Sequence, residues 1–193
     1  MADPGEDRYS KRDWRARLLA ARESVPPEQR ADEAHSLATA AVDIPAGLVC
    51  CYVPVGGEPG SLELITALAD AGRRVLLPVV VGATPLDWAY YDGPESLAPG
   101  PYDLLQPSGP RLGAAAIGQA DLVLVPALAV DLAGHRIGRG GGHYDRSLPL
   151  ATPGTPLVAV VRDDEVVDEL PSEPHDVPMT AALTPIGGLL RLG

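Results

Sequence analysis

Four stretches of the chain, Leu48–Val53, Arg74–Val81, Leu122–Val125 and Pro156–Val161, are almost unbroken apolar runs rather than alternations of apolar and polar residues. A strand with one wet face alternates, whereas a strand covered on both faces does not, so these runs predict a parallel sheet with other layers packed on either side. None is long enough to cross a bilayer. Residues 61–71 place Leu62, Ile65, Leu68 and Ala69 at helical spacing between the first two runs, which completes one βαβ unit. Upstream, Ser10-Lys11-Arg12-Asp13 has the form of a capping box and is followed by Trp14, Leu18 and Ala21 on one helical face, predicting a helix over 11–23. Pro26-Pro27 separates it from an alanine-rich second helix over 27–41.

The whole reads as an α/β fold over 1–193: a single domain with a mostly parallel central sheet flanked by helices in three layers, an N-terminal helical pair, and residues 1–9 as a flexible tail. Residues 82–120 are rich in Gly, Pro and Asp and predict a short strand at 86–91 and an extended piece near Tyr102–Leu105. A short helix is expected over 142–148, and one short strand within the proline-punctuated segment 166–184.

A chain of 193 residues can bury one substantial core without metal or disulfide staples. Its two cysteines, Cys50 and Cys51, are neighbours in an apolar run, where a bridge would be strained, so they read as small buried hydrophobes suited to a reducing cytosol. The opening Met1-Ala-Asp-Pro-Gly-Glu-Asp7 has no apolar signal core, and the expectation is a cytoplasmic protein that does not enter a membrane.

The formal net charge of −11 hides an asymmetry. Residues 8–22 hold six basic side chains against Asp13 alone, and residues 134–146 hold three against Asp145, giving +5 and +2. The other 165 residues carry 24 acids and 6 cations. Such a chain would repel a nucleic-acid backbone over most of its surface, yet its two basic segments suit a small polyanion if the fold brings them together.

The second basic segment carries the strongest motif, Asp131-Leu-Ala-Gly-His-Arg-Ile-Gly-Arg-Gly-Gly-Gly-His-Tyr-Asp-Arg146, just after the third apolar run. Glycines at 138, 140, 141 and 142 let backbone N–H groups approach a ligand closely, and with Arg136 and Arg139 they make a plausible phosphate cradle at the carboxyl end of a strand, where open α/β sheets bind ligands. It is neither a dinucleotide fingerprint, which would need glycine where His143 stands, nor a P-loop, which would need a lysine. Lys11, the only lysine in the chain, lies one turn from Arg15 on the same face, so both could meet one anion or simply solubilise the surface. Asp145 and Asp176 offer hard oxygens suited to Mg²⁺, or serve as cap and turn residues, and His175 is either an acid–base group or a structural hydrogen-bonder.

Together, the 131–146 motif, the Lys11–Arg15 helix, Tyr52-Val-Pro-Val-Gly-Gly-Glu58 and Glu173-Pro-His-Asp176 resemble the 5-formyltetrahydrofolate cyclo-ligase (methenyltetrahydrofolate synthetase) family, in the same order over nearly the whole chain. The resemblance implies an enzyme that uses ATP as co-substrate and Mg²⁺ to convert 5-formyltetrahydrofolate to 5,10-methenyltetrahydrofolate; the expectation from the chain as a whole is a monomer with no nucleic-acid or membrane partner. By that resemblance ATP would meet Lys11, Arg12, Asp13, Trp14 and Arg15, and then Arg136, Ile137, Gly138, Arg139, Gly140, Gly141, Gly142, His143 and Tyr144. Folate would meet Val53, Glu58 and the loop from Arg139 to His143, while Asp145 and Asp176 would hold the metal; Lys11, Arg139 and Asp145 would carry the chemistry. His143 stands where the family commonly has an aromatic residue, and Trp88 is a further candidate for lining the folate pocket. Two other readings of the same residues are a non-catalytic nucleotide- or folate-binding relative and a sugar-phosphate isomerase on a similar scaffold.

Overall fold

In a computed structural model, which describes residues 9–101 and 104–193, the chain runs through α1 (Lys11–Glu23), α2 (Pro27–Val42), β1 (Leu48–Cys50), α3 (Leu62–Asp70), β2 (Arg74–Val79) and β3 (Asp87–Tyr90). It continues through β4 (Leu97–Pro99), β5 (Leu105–Pro107), β6 (Leu122–Pro126), β7 (Ala129–Asp131), β8 (Arg136–Ile137) and α4 (His143–Ser147). The last elements are β9 (Leu157–Val160), β10 (Val166–Val167), β11 (Ala181–Thr184) and β12 (Gly188–Arg191). Most of the expected N-terminal tail lies outside the described residues, as do the first two residues of the extended piece expected near 102–105.

The central sheet has seven strands in the order β12-β11-β9-β6-β1-β2-β3. The five inner strands pair parallel to one another, and the two edge strands run antiparallel. The four apolar runs of the sequence are four of those inner strands. Along them, side chains alternate between two separate cores: Val49, Val75, Leu77, Leu124, Val158 and Val160 face α2 and α3, while Cys50, Leu76, Val123, Val125 and Ala159 face the other side. Both faces are dry, which is why no polar alternation is visible. The second face is covered chiefly by short 3₁₀ turns at Ala114–Gln119 and Leu148–Leu150 rather than by a long helix.

Several local expectations shift. The first strand ends at Cys50 instead of Val53: the Cys51 amide still bonds to the Leu76 carbonyl, but Tyr52-Val53 turns to wall a cavity and Pro54 has no N–H to continue a ladder. Segment 166–184 holds two strands, β10 and β11, and β4 and β12, the hairpin partners of β5 and β11, show no periodic signal at three and four residues each. The 131–146 motif does not follow β6 directly. It begins inside a small second sheet, β10-β7-β8, formed when the chain turns back on itself after Pro126. Both cysteines are free and fully buried; burial pushes the Cys51 thiol up to about 12 and Cys50 upward likewise.

The first helix packs on this small sheet, not on the large one. Leu18 meets Leu128, Ala129, Ile137 and Leu170, with Trp14 and Leu19 at the margin. The expected capping box is present, Ser10 Oγ accepting from the Asp13 amide and the Asp13 carboxylate accepting from the Ser10 amide. At its far end Arg22, 2% exposed, donates through Nε (2.6 Å) and NH2 (2.7 Å) to the buried Glu165 carboxylate, and through NH2 to the Ala127 carbonyl (2.6 Å). Glu165 also accepts from the Arg162 amide (2.7 Å). Removing one partner of a buried, hydrogen-bonded pair strands the other charge, at a cost of roughly 3–5 kcal/mol. Glu165→Ala should therefore lower the melting temperature by roughly 6–20 °C for a chain of this size; a calorimetric shift under 2 °C would show that α1 does not depend on the pair.

Candidate active site

The glycine segment forms one wall of a cavity of about 430 Å³. Opposite it stand Tyr52, Val53, Val55 and Glu58 from the loop after β1, with Pro78, Val80 and Leu86 beside them and Leu104–Gln106 at the margin. Of the residues singled out in the sequence, Val53, Glu58, Arg136 and everything from Gly138 to Asp145 line this single cavity. Trp88 does not: it is fully buried in the core behind it, its indole N–H without a partner. The apolar wall formed by Val80, Leu86 and Leu104–Leu105 comes from the part of the chain with the weakest motifs, and ordinary aliphatic residues carried no signal that would have found it.

Two of the four glycines in the loop adopt positive φ, Gly140 at +98° and Gly142 at +66°. At Gly140 an added Cβ would have room, in ordinary contact with the Arg15 guanidinium at 3.6 Å, so it is the positive φ that suits glycine there. The loop is held from both sides. Arg15 Nε donates to the Gly138 carbonyl (2.8 Å), and Arg139 crosses the cavity to donate to Glu58 Oε1 (2.8 Å) and the Val55 carbonyl (3.0 Å). Glu58 Oε2 in turn accepts from the Val55 amide (2.9 Å), which orients the carboxylate. The base of the motif is closed by Asp131, 1% exposed, which accepts from the amides of Ala133, His135 and Leu170 and from the His135 ring. An Asp followed by Gly three residues on is a turn signal that points to such a role.

The two basic segments are neighbours. Besides the Arg15–Gly138 contact, Lys11 Nζ donates to Asp176 (2.7 Å) and Glu173 (3.1 Å). Arg136 NH2 donates to Asp145 Oδ1 (2.6 Å) and its NH1 to the Val177 carbonyl (3.2 Å), so Asp145 and the segment carrying Asp176 meet around one guanidinium. The other residues of the Lys11–Arg15 stretch face elsewhere: Asp13 caps the helix, Arg12 is exposed, and Trp14 packs edge-on to Tyr9 under Arg17. Ile137 is fully buried beneath the loop against Leu18. His175 is exposed beside Glu173, and Glu173, His175 and Asp176 present ligand atoms within 4.8 Å of one another.

Electrostatics differ around the site. Burial, then the charge of Arg146, hold the His143 imidazole below its usual range. Burial lifts the Tyr144 phenol well above its ordinary value, and its hydroxyl is buried without a partner at the cavity wall. Partial burial would raise Asp176, but the Lys11 and Glu173 hydrogen bonds outweigh it and hold the carboxyl below 3.8. Burial would lower Lys11; the same bonds outweigh it and place the amine above 10.5.

Comparison with known proteins bears on what this arrangement is for. The model of the 5-formyltetrahydrofolate cyclo-ligase family matches residues 7–185. A 5-formyltetrahydrofolate cyclo-ligase of Mycolicibacterium smegmatis is 47% identical over 190 residues, covering 95% of this chain and 97% of that one. One from Escherichia coli K12 is 30% identical over 171 residues, covering 85% and 94%. The NMR structure of the Aquifex aeolicus 5,10-methenyltetrahydrofolate synthetase superimposes with a TM-score of 0.81 at 26% identity, over 94% of this chain and 92% of that one. A Mycoplasma pneumoniae 5,10-methenyltetrahydrofolate synthetase shares the fold at 18% identity, with a TM-score of 0.71 over 90% and 98%.

The Lys11–Asp176 clasp has a definite pH signature. A lowered carboxyl contributes stability that is present above its unfolded value and lost as pH falls through the folded one, and a raised amine contributes stability lost only as pH rises past the amine range. The stability gap between the protein and Asp176→Asn should thus be constant across about pH 5–9 and narrow below about pH 4. Thermal melts across that range check this, and a gap unchanged at low pH would remove the carboxylate from the clasp.

Proposed function

Because the chain belongs to the 5-formyltetrahydrofolate cyclo-ligase family, we propose that it converts 5-formyltetrahydrofolate to 5,10-methenyltetrahydrofolate with consumption of ATP and release of ADP and phosphate. The observation that carries this reading is the convergence of α1 and the glycine loop, through Arg15 and Gly138, at the rim of the cavity that also holds Glu58. One end of that arrangement is cationic and rich in backbone amides, as a triphosphate requires, and the other is an apolar slot with a single carboxylate, as a pterin requires.

An N-formyl oxygen is a poor leaving group. In the proposed reaction it attacks the γ-phosphorus, the bond from that phosphorus to the bridging oxygen breaks, and ADP leaves. The substrate's own N10 then bonds to the activated formyl carbon, the carbon–oxygen bond breaks to release phosphate, and N10 gives up its proton. No protein nucleophile is needed, so the enzyme's work is positioning and charge neutralisation. Lys11 and Arg15, which reach Asp176 and the Gly138 carbonyl, would balance the triphosphate and the transferring phosphoryl group, and Arg139 spans from the glycine loop to Glu58. Glu58, already oriented by the Val55 amide, accepts the pterin's N–H donors. Tyr144 offers a buried hydroxyl that lacks a partner until a ligand supplies one.

The donor set fits Mg²⁺: Asp145 and Asp176 are hard-oxygen ligands joined through Arg136 and Val177, and Glu173 adds a third carboxylate beside Asp176. Bound there, the ion would neutralise phosphate charge. Lys11 donates to one oxygen of Asp176 and Arg136 to one oxygen of Asp145, and these carboxylates would pass from the two cations to the ion. The free, buried thiols suit a cytosolic enzyme.

Mixing purified protein with 5-formyltetrahydrofolate, ATP and Mg²⁺ should give methenyltetrahydrofolate, read by its absorbance, and should give none without nucleotide. Lys11→Ala and Asp145→Ala should each lose about 10²-fold or more in kcat while staying folded, in line with removing one preorganised charge from a transition state. Near-normal turnover in either would remove that residue from the mechanism, and an absence of ATP-dependent product would defeat the proposal.

A further inference from the structure

Behind the Gly56–Gly57 turn lies a second cavity of about 380 Å³ that shares Arg139 with the first. Leu19, Arg22 and Glu23 of α1, Arg30 of α2, and the two glycines form the rest of its wall, so three arginines line it beside one glutamate. The reaction proposed above uses neither Arg22 nor Arg30. Arg22 spends Nε and NH2 on Glu165 and Ala127, and its remaining NH1 is buried with no hydrogen-bond partner. Arg30 donates NH2 to the carbonyls of Arg22 and Glu23 at the end of α1, and its Nε is likewise buried and unpartnered. A desolvated donor left unpaired is costly, so an acceptor brought within reach of either side chain would be stabilising. The turn packs closely on α1: a Cβ on Gly57 would come 3.2 Å from Arg22 Cβ, and Gly56 has a φ of +59°, which favours glycine.

We infer that this cavity is a binding site for an oxyanion group, a carboxylate or phosphate, held by Arg22, Arg30 and Arg139. Planar guanidinium groups match such oxygens in geometry and charge. An occupant also has a consequence next door. Arg139 is 46% exposed and now donates to Glu58 Oε1, so an anion that draws Arg139 toward it frees that oxygen for the pterin. Anion and folate then tighten each other's binding, since coupling between two sites is reciprocal. This second step rests on the proposed role of Glu58; the anion site does not. The cavity is larger than an oxyanion alone, so its occupant is either hydrated free phosphate or the end of a longer molecule such as the substrate's glutamate tail.

Calorimetric titration of the full chain with inorganic phosphate, with the nucleotide region filled by a non-hydrolysable ATP analogue, tests the site without requiring turnover. One phosphate should bind per chain. Arg30→Gln, which keeps an amide donor for the Arg22 carbonyl, should weaken it by roughly tenfold or more, the loss of one charged hydrogen bond. Leu19→Glu, which sets a carboxylate at the cavity wall, should abolish it, with thermal melts reporting that both variants fold. KM values for 5-formyltetrahydrofolate and for 5-formyltetrahydropteroate, which lacks the glutamate, identify the source. A rise in Arg30→Gln confined to the glutamate-bearing substrate assigns the substrate carboxylate; a phosphate-dependent fall in KM for both substrates that Arg30→Gln removes assigns free phosphate. Phosphate affinity equal in all three proteins, or no phosphate binding together with unchanged KM values, would overturn the inference. Variant-sensitive phosphate binding by a protein that makes no methenyltetrahydrofolate would leave the anion site standing and sink the proposed reaction instead.

Discussion

The buried pair of Arg22 and Glu165 decides where α1 lies, and most of the site depends on where α1 lies. The helix is mostly polar on its outer face, and Leu18 is its only fully buried apolar side chain. That is little surface to fix the orientation of a thirteen-residue helix. A bidentate ion pair between two side chains that are nearly inaccessible supplies the direction that packing alone lacks, since two desolvated charges tolerate few arrangements. Glu165 sits in the turn after β9 and Ala127 at the entry to the small sheet, so Arg22 ties α1 to both at once. With that end anchored, Arg15 and Lys11, two and three turns back along the helix, reach the glycine loop and Asp176.

The glycine loop itself has almost no side chains with which to hold its shape. Its order comes from neighbours: Arg15 on one flank, Glu58 and Val55 through Arg139 on the other, and Asp131 at its base. This leaves the backbone amides free to face a ligand while the loop is gripped by long, charged side chains. The same architecture accounts for the charge asymmetry of the chain. The two basic segments are folded onto each other, so cations that are sparse in a chain of net charge −11 are gathered at the site, where carboxylates pair with them.

Legibility followed burial. The inner strands and the first three helices were readable because burial on two faces, or on one helical stripe, leaves a periodic or continuous apolar pattern several residues long. Strands β4, β7, β8, β10 and β12 were missed because, at two to four residues, they are too short to show a period and are formed by pairing with distant partners. Trp88 is instructive in the other direction: a lone tryptophan in a region with no motif looks like a ligand contact, yet its alternation on β3 turns it into the core.

The sequence by itself determined the fold class, the glycine motif, the resemblance to the cyclo-ligase family, and the existence of two cationic segments, because each is a property of local pattern or composition. Only the tertiary structure decided that those segments touch, that Lys11 is held by Glu173 and Asp176, that Asp145 is held by Arg136, and that an arginine-lined cavity lies behind Gly56 and Gly57. Such facts concern residues up to 165 positions apart. Their geometry is set by how a sheet, a small second sheet and one anchored helix pack, and no window along the chain contains it.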